Sequence, residues 1–507
     1  MWGRFTIGDL RTIGYYLGVI ILFSIAMYVL PIAVGLAFGE WEAVARYLGA
    51  VGISLVLGSL LRFLRIGECR LNAQQAMTVT GLAWIVLPLL ASIPLFGSGH
   101  YASYADALFD GVSGLTTTGA SVINDLEHLA YADNMFRFMM HLLGGLGLVV
   151  AAQALGLFGK SGSAAMYTSE GRSEHVVANV TNTARFLAKI ILVFILVATI
   201  ILTCMFMFSG MAWNRAALHA FWVSISGLIT GGFTPTSQSI MYYHSFAVEV
   251  VLMVLMFLGS INFMLYHGLI RGNVRAFFSD LETKTLVFWL AVVMVVLAAS
   301  LSSSTYFSSL TAMLRHGLFL IISAFTTTGF QTITTNEFTT VLTSGAFLVI
   351  AVVMAVGGSA GGTSGGIKLN RVGIIFKSVA QTVKQRIYPE SARILTTYEH
   401  VGQRTLTTGI IQEATTVFVL FVLTYVLGML AGIIHGYEAT QALFESIAMA
   451  SNGGLTSGIV SAGMPIGLEM VYILEMWAGR LEFITLLALI VKVVISLNPF
   501  AEKRVQR

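Results

Sequence analysis

Residues 112–121 read VSGLTTTGAS, and the chain repeats that design three more times, as SGLITGGFT at 226–234, SAFTTTGFQT at 323–332 and AMASNGGLTSG at 448–458. Each copy follows an aromatic residue at one fixed spacing: Phe109 before Gly119, Trp222 before Gly232, Phe319 before Gly329 and Phe444 before Gly454. Four matches at one spacing define an internal repeat of roughly 100 to 120 residues, and such a repeat decides the fold before any local reading does.

Composition sets the solvent. With 56% hydrophobic and only 10% charged residues over 507 positions, the chain carries more apolar surface than one soluble core can bury. A mean hydropathy of +0.84 agrees, and the chain reads as a polytopic membrane protein. The net charge of +4 comes with no basic run interleaved with aromatics, which excludes a nucleic-acid face. Cys69 and Cys204 are the only cysteines, too few for a disulfide framework or a thiolate metal cluster. The first apolar segment, reaching about residue 37, is too long for the core of a cleavable signal.

Ten segments are long enough to cross a bilayer core of about 30 Å: residues 12–37, 44–64, 76–96, 135–158, 184–211, 246–270, 284–301, 342–356 with a continuation, 405–434 and 466–497. Shorter apolar stretches at 104–116, 216–229, 312–326 and 438–451 end in the repeated motifs and read as re-entrant half-helices. With the N-terminus cytoplasmic, all 28 Lys+Arg fall inside except Arg46, Arg137, Arg215, Arg315 and Arg480. The positive-inside rule therefore places both termini in the cytoplasm and all four motifs on the outer side. Glu40, Glu42, Asp106, Asp110, Asp125, Glu127, Asp133, Glu337 and Glu438 fall on that outer side, where negative charge concentrates cations.

The sequence thus predicts an all-α membrane protein: two leading spans, then four units of span, half-helix, motif and span. Boundaries fall at 1–70, 71–172, 173–280, 281–395 and 396–507. Four parallel units closing around one axis put the motifs in a ring. Irregular backbone at membrane depth is tolerated where it lines a water or ion path. Glycine frees the backbone to turn successive carbonyls inward, and a carbonyl ring replaces the hydration shell of a large cation. Half-helices ending at the ring point their negative dipole ends toward it. The residues expected there are Thr116, Thr117, Thr118 and Gly119; Ile229, Thr230, Gly231 and Gly232; Thr326, Thr327, Thr328 and Gly329; and Ser451, Asn452, Gly453 and Gly454. The second copy, ITGGF, and the fourth, SNGGL, each carry a glycine before the matched one, which leaves two registers open.

A second stretch, GGSAGGTSGG at 357–366, places Gly357, Gly358, Gly361, Gly362, Gly365 and Gly366 inside an expected span. It begins roughly 22 Å along that span at about 1.5 Å per residue. Glycine costs a helix about 1 kcal/mol each against alanine, so a helix break is one reading; a close-packed helix of small residues is the other. Arg480 lies within the last apolar segment. There a guanidinium faces either a pore and the Gly-rich stretch, or a buried partner such as Glu475, Glu482 or a carbonyl.

Other signals carry less. Ser113 stands in a literal GxSG, but the same serine recurs at Ser226 and Ser323, so it belongs to the half-helix design rather than to a hydrolase, and no enzyme is expected. Lys368 does not follow a GxxxxG, which rules out a phosphate-binding loop. The ten histidines show no metal-ligand spacing. Residues 368–404 hold Lys368, Arg371, Lys377, Lys384, Arg386, Arg393 and Arg404, an ordinary positive-inside loop that is also long enough to dock a partner.

The chain resembles the Trk/Ktr/HKT superfamily of potassium transporters, in its TrkH/TrkG branch. The resemblance rests on the four motifs together with HLLGGLGLVVAAQAL (141–155), FLGSINFMLYHGLIRG (257–272), GGSAGGTSGGIKLNR (357–371) and WAGRLEFITLL (477–487), and on the two extra leading spans. It implies four covalently joined M1-P-M2 units around one pore. K+ would be the transported ion, held by carbonyls of Thr117, Thr118, Thr230, Gly231, Thr327, Thr328, Asn452 and Gly453, and no organic cofactor would be needed. It further implies potassium preference from Gly119, and a gate formed by residues 357–366 with Arg480. A bacterial inner-membrane location, a homodimer among membrane lipids and a cytosolic TrkA-like nucleotide-binding ring complete the expectation. The competing reading is a secondary transporter coupled to H+ or Na+; parallel rather than inverted repeats weigh against it.

Overall fold

The computed structural model describes residues 5–64, 71–147, 150–151, 180–270, 272–301, 310–333, 344–389, 396–400 and 402–497. Cys69, Glu337, Arg393, the far end of the expected span 135–158 and the start of the one at 342 lie outside them. The chain divides into two compact units, one of Met1–Leu115, His128–Leu192 and Arg480–Arg507, the other of Thr116–Glu127 and Val193–Gly479.

The first unit opens with helix Ile7–Ser24, started by a reciprocal cap: the Thr6 hydroxyl accepts from Asp9 N at 3.1 Å and the Asp9 carboxylate from Thr6 N at 2.8 Å. This helix packs against Trp41–Arg62 and Ala73–Phe96, while Ala26–Phe38 packs on Tyr131–Leu146 and Ile484–Leu497 on Ala73–Phe96. Arg46 holds buried Asp133 with both terminal nitrogens, at 2.9 and 3.2 Å, and the Tyr47 hydroxyl adds a third bond at 2.6 Å.

In the second unit Trp213–Leu228 packs on Phe246–Ser260, Leu310–Phe325 on Ser344–Ala355, and Thr408–Ile434 on Ala439–Ala450. Arg315 grips buried Glu249 through two bonds, of 2.7 and 2.5 Å, in the fork geometry that guanidinium favours. A short antiparallel hairpin, Thr397–Glu399 with Gln403–Thr405, departs from the all-α expectation.

Among the described residues five helices are long and apolar enough to cross a membrane: Ile7–Phe38, Trp41–Arg62, Ala73–Phe96, Asn182–Phe208 and Thr408–Ile434. Two expected spans are not continuous. Residues 246–270 form Phe246–Ser260 and Phe263–Ile270, bent by 98°, and 466–497 is interrupted between Ile466–Arg480 and Ile484–Leu497, where Glu482 and Phe483 take positive φ. Helix Tyr131–Leu146 likewise ends at Gly147, φ +84. Hydropathy is averaged over a whole span, so the apolar Ile261, Leu481 and Phe483 mask the single polar residues, Asn262 and Glu482, that share these breaks.

Candidate functional site

The four motifs share one backbone geometry. The half-helices Tyr104–Thr116, Trp213–Leu228, Leu310–Phe325 and Ala439–Ala450 each run into a left-handed residue, Thr117 (φ +57), Thr230 (+52), Thr327 (+52) or Asn452 (+52). Two positions on comes a left-handed glycine, Gly119 (+82), Gly232 (+86), Gly329 (+90) or Gly454 (+63). Left-handed backbone costs a β-branched residue of order 1–3 kcal/mol, and three threonines adopt it at the same step. The geometry is therefore imposed by the surroundings. It also selects one register for the second and fourth copies, with Gly232 and Gly454 as the counterparts of Gly119 and Gly329.

The four loops meet in a closed cycle. A side-chain carbon on Gly119 would overlap the carbonyl oxygen of Gly231, one on Gly232 that of Thr328, and one on Gly454 that of Thr118; on Gly329 it would stand 2.8 Å from the Gly453 oxygen. Each glycine thus abuts the carbonyl that precedes the glycine of the next loop. The cycle runs first, second, third, fourth and back to the first. Four main-chain oxygens crowd one locus, and only residues without a side chain fit between them.

Hydroxyls brace the loops. Thr116 and Thr118 share a bond of 2.8 Å, and Thr326 and Thr328 one of 2.7 Å. Asn452 donates to the Thr118 hydroxyl and to the Met476 carbonyl, both at 3.0 Å. On the loop that follows the first motif, Glu127 accepts from the amide and hydroxyl of Ser237 at 2.9 and 2.6 Å. Partial burial pushes the Glu127 carboxyl up, the two Ser237 bonds pull it down, and the net position is below the usual carboxylate range.

Residues 356–368 carry no helix between Ser344–Ala355 and Leu369–Ile387. This segment fills the break between Phe246–Ser260 and Phe263–Ile270: Ser359 N donates to Ser260 O at 2.9 Å and Thr363 N to Gly259 O at 3.0 Å. These carbonyls lost their helical partners at the bend, and buried main-chain oxygens must find others. The Thr363 hydroxyl reaches Leu228 O at 3.2 Å and the Thr230 hydroxyl at 3.1 Å, while Gly365 N donates to the Thr327 hydroxyl at 2.7 Å. Gly365 also sits against the Ser451 carbonyl. The segment is thus tied to the second, third and fourth motifs at once.

Arg480 is half-buried, donates to the Gly144 carbonyl and lies 5.7 Å from the Trp84 ring centroid. Gly144 O also accepts from Gly147 N at 3.1 Å, so the guanidinium adds a second donor to a carbonyl at the end of helix Tyr131–Leu146. Glu475, one of its alternative partners, accepts from Ser446 at 2.7 Å. Ser113, Ser226 and Ser323 are fully buried on their half-helices.

Sequence reading missed Gly144, Gly259 and Gly479. A side-chain carbon on any of them would overlap the last half-helix carbonyls, of Leu115, Leu228 and Ala450. A glycine recurring at one place in three repeats was the available signal. Thr363, Ser260 and Asn262, which caps Phe263–Ile270 through Met264 N at 2.9 Å, left no comparable trace.

Fold and site together define a polytopic membrane protein in which four copies of one half-helix motif close a ring of main-chain carbonyls. The chain belongs to the TrkH family of cation transport proteins, whose profile matches residues 46–498. It is 31% identical to a Trk system potassium uptake protein TrkH of Halomonas elongata, over 95% of this chain and 98% of that one. An uncharacterized cation transporter of Methanocaldococcus jannaschii is also 31% identical, over 83% and 82%. The crystal structure of the potassium transporter TrkH from Vibrio parahaemolyticus superposes with a TM-score of 0.78 at 25% identity, covering 97% of this chain and 99% of that one.

Proposed function

We propose that the chain takes up K+ through one central pore framed by four M1-P-M2 units, with boundaries near residues 70, 172, 280 and 395. The observation that carries this reading is the closed cycle of Gly119, Gly232, Gly329 and Gly454 against the carbonyls of Gly231, Thr328, Gly453 and Thr118. Carbonyls at that density replace the water shell of a dehydrated cation, and the half-helix dipoles add negative potential. The carbonyls of Thr117, Thr230, Thr327 and Asn452 supply a second tier. Relatives that bear the name potassium uptake protein support the choice of ion.

Residues 357–366 act as the gate, anchored by Thr363 and Gly365, and Arg480 as its companion charge. A cytosolic TrkA-like nucleotide-binding ring, docking on the basic segment that follows Lys368, moves the gate in a homodimer. The protein sits in a bacterial inner membrane with both termini cytoplasmic. It has no catalytic role.

Uptake of radioactive rubidium into proteoliposomes tests the reading. Flux that needs no co-ion and does not saturate is the expected result; a fixed proton or sodium stoichiometry would establish the coupled transporter instead.

A further inference from the structure

Asp280, Glu282 and His400 lie far apart in sequence and together in space. Asp280 precedes helix Leu281–Leu301 and caps it, accepting from Glu282 N at 2.9 Å. His400 occupies the turn of the hairpin, its Nδ1 3.4 Å from Asp280 Oδ2. One ligand-type atom from each residue lies within 4.8 Å of the other two. Their exposures are 2, 0 and 1%, and Leu281, Ile374, Tyr398, Leu406 and Ala414 form an apolar cluster beside them.

Two carboxylates and an imidazole, removed from water at this spacing, form the donor set of a divalent transition-metal site. Three donors held about 2.1 Å from one ion stand roughly 3.4 Å apart at tetrahedral angles, so donors within 4.8 Å of one another need to close by at most about 1.4 Å, within reach of side-chain rotation. The second oxygen of Glu282 has a different task. Oε1 accepts from Ala360 N at 2.7 Å, in the middle of residues 357–366.

We propose that Asp280, Glu282 and His400 bind a divalent transition-metal ion, Zn2+ or Mn2+, which pins residues 357–366 to the hairpin. The pinning rests on the reading of residues 357–366 as the gate; the site itself does not. Bound metal orients Glu282, Glu282 holds Ala360, and the hairpin becomes a handle through which a cytosolic event reaches the membrane interior.

The full-length protein, purified in detergent and stripped with chelator, is dialysed against Zn2+, Mn2+ or Mg2+, and metal per chain is counted by mass spectrometry. One Zn2+ or Mn2+ per chain is expected, with affinity falling at least tenfold in His400→Gln and in Asp280→Asn; asparagine still caps the helix. Equal metal retention in the native protein and both variants overturns the site. Should a variant fail to fold, electron spin-echo spectra of Mn2+ on the native protein serve the same purpose, since absence of an imidazole nitrogen coupling also overturns it. In proteoliposomes, Zn2+ on the hairpin side should lower rubidium uptake at least threefold in the native protein and leave His400→Gln unaffected. Metal binding with unchanged uptake overturns the pinning. No rubidium uptake under any condition would instead count against the transport reading, and the metal count would stand.

Discussion

The side-chain amide of Asn452 donates to the Thr118 hydroxyl at 3.0 Å, tying the last motif to the first across more than three hundred residues of chain. Asn452 also occupies the left-handed region, which asparagine tolerates better than most residues. Asn452→Ala removes this bond and the one to Met476 O, each worth about 1 kcal/mol. The closing seam of the ring then loosens. Sodium uptake relative to rubidium should rise by about tenfold, and an unchanged ratio would show that the seam does not set selectivity.

Glycine conformation and glycine contact can be separated. Gly329 and Gly436 share φ +90, but a side chain at Gly436 meets nothing within 4 Å, whereas one at Gly329 meets the Gly453 oxygen at 2.8 Å. Both alanine variants carry the backbone cost of about 1 kcal/mol. Only Gly329→Ala should abolish rubidium uptake. At Gly119, where the overlap with the Gly231 oxygen is closer still, serine should displace that oxygen, cut rubidium uptake and raise sodium uptake relative to it; a Gly119→Ser variant with native selectivity would remove Gly119 as a determinant.

Thr363 joins residues 357–366 to Leu228 O, Gly259 O and the Thr230 hydroxyl. Thr363→Val preserves the shape and removes the one hydroxyl proton that Leu228 O and Gly259 O share, together with the contact to Thr230. Uptake without a cytosolic partner should rise several-fold, as it should in Arg480→Ala. Flux at the native level in both variants would sink the gate assignment.

The Glu127 carboxyl is held below its ordinary value by Ser237. A depressed carboxylate contributes stability above its unfolded-state value and loses it as pH falls through the folded-state value. The native protein should therefore lose thermal stability toward acid more steeply than Ser237→Ala, with the two curves parallel near neutral pH. Identical acid limbs would show that the bond carries no linkage.

Repeats, solvent and ring glycines were legible because four copies amplify one signal and hydropathy sums over twenty residues at a time. What escaped was set by contacts between distant residues. The bend after Ser260, at Ile261 and Asn262, becomes tolerable only because Ser359 and Thr363 supply donors from a hundred positions downstream. The hairpin and its His400 lie in a stretch with no periodicity, and the partner of His400 is 120 residues away. Gly144, Gly259 and Gly479 were visible as letters, but their reason, a half-helix terminus seated against each, exists only in three dimensions.

The carbonyls of Gly259 and Ser260 accept their bonds from the very segment assigned to move. If residues 357–366 withdraw, two strong acceptors are left at membrane depth, where an unmet acceptor costs several kcal/mol. Water must arrive as the segment leaves. Opening is then a wetting transition as much as a displacement. Solutes that lower water activity should favour the closed state even when they never touch the protein.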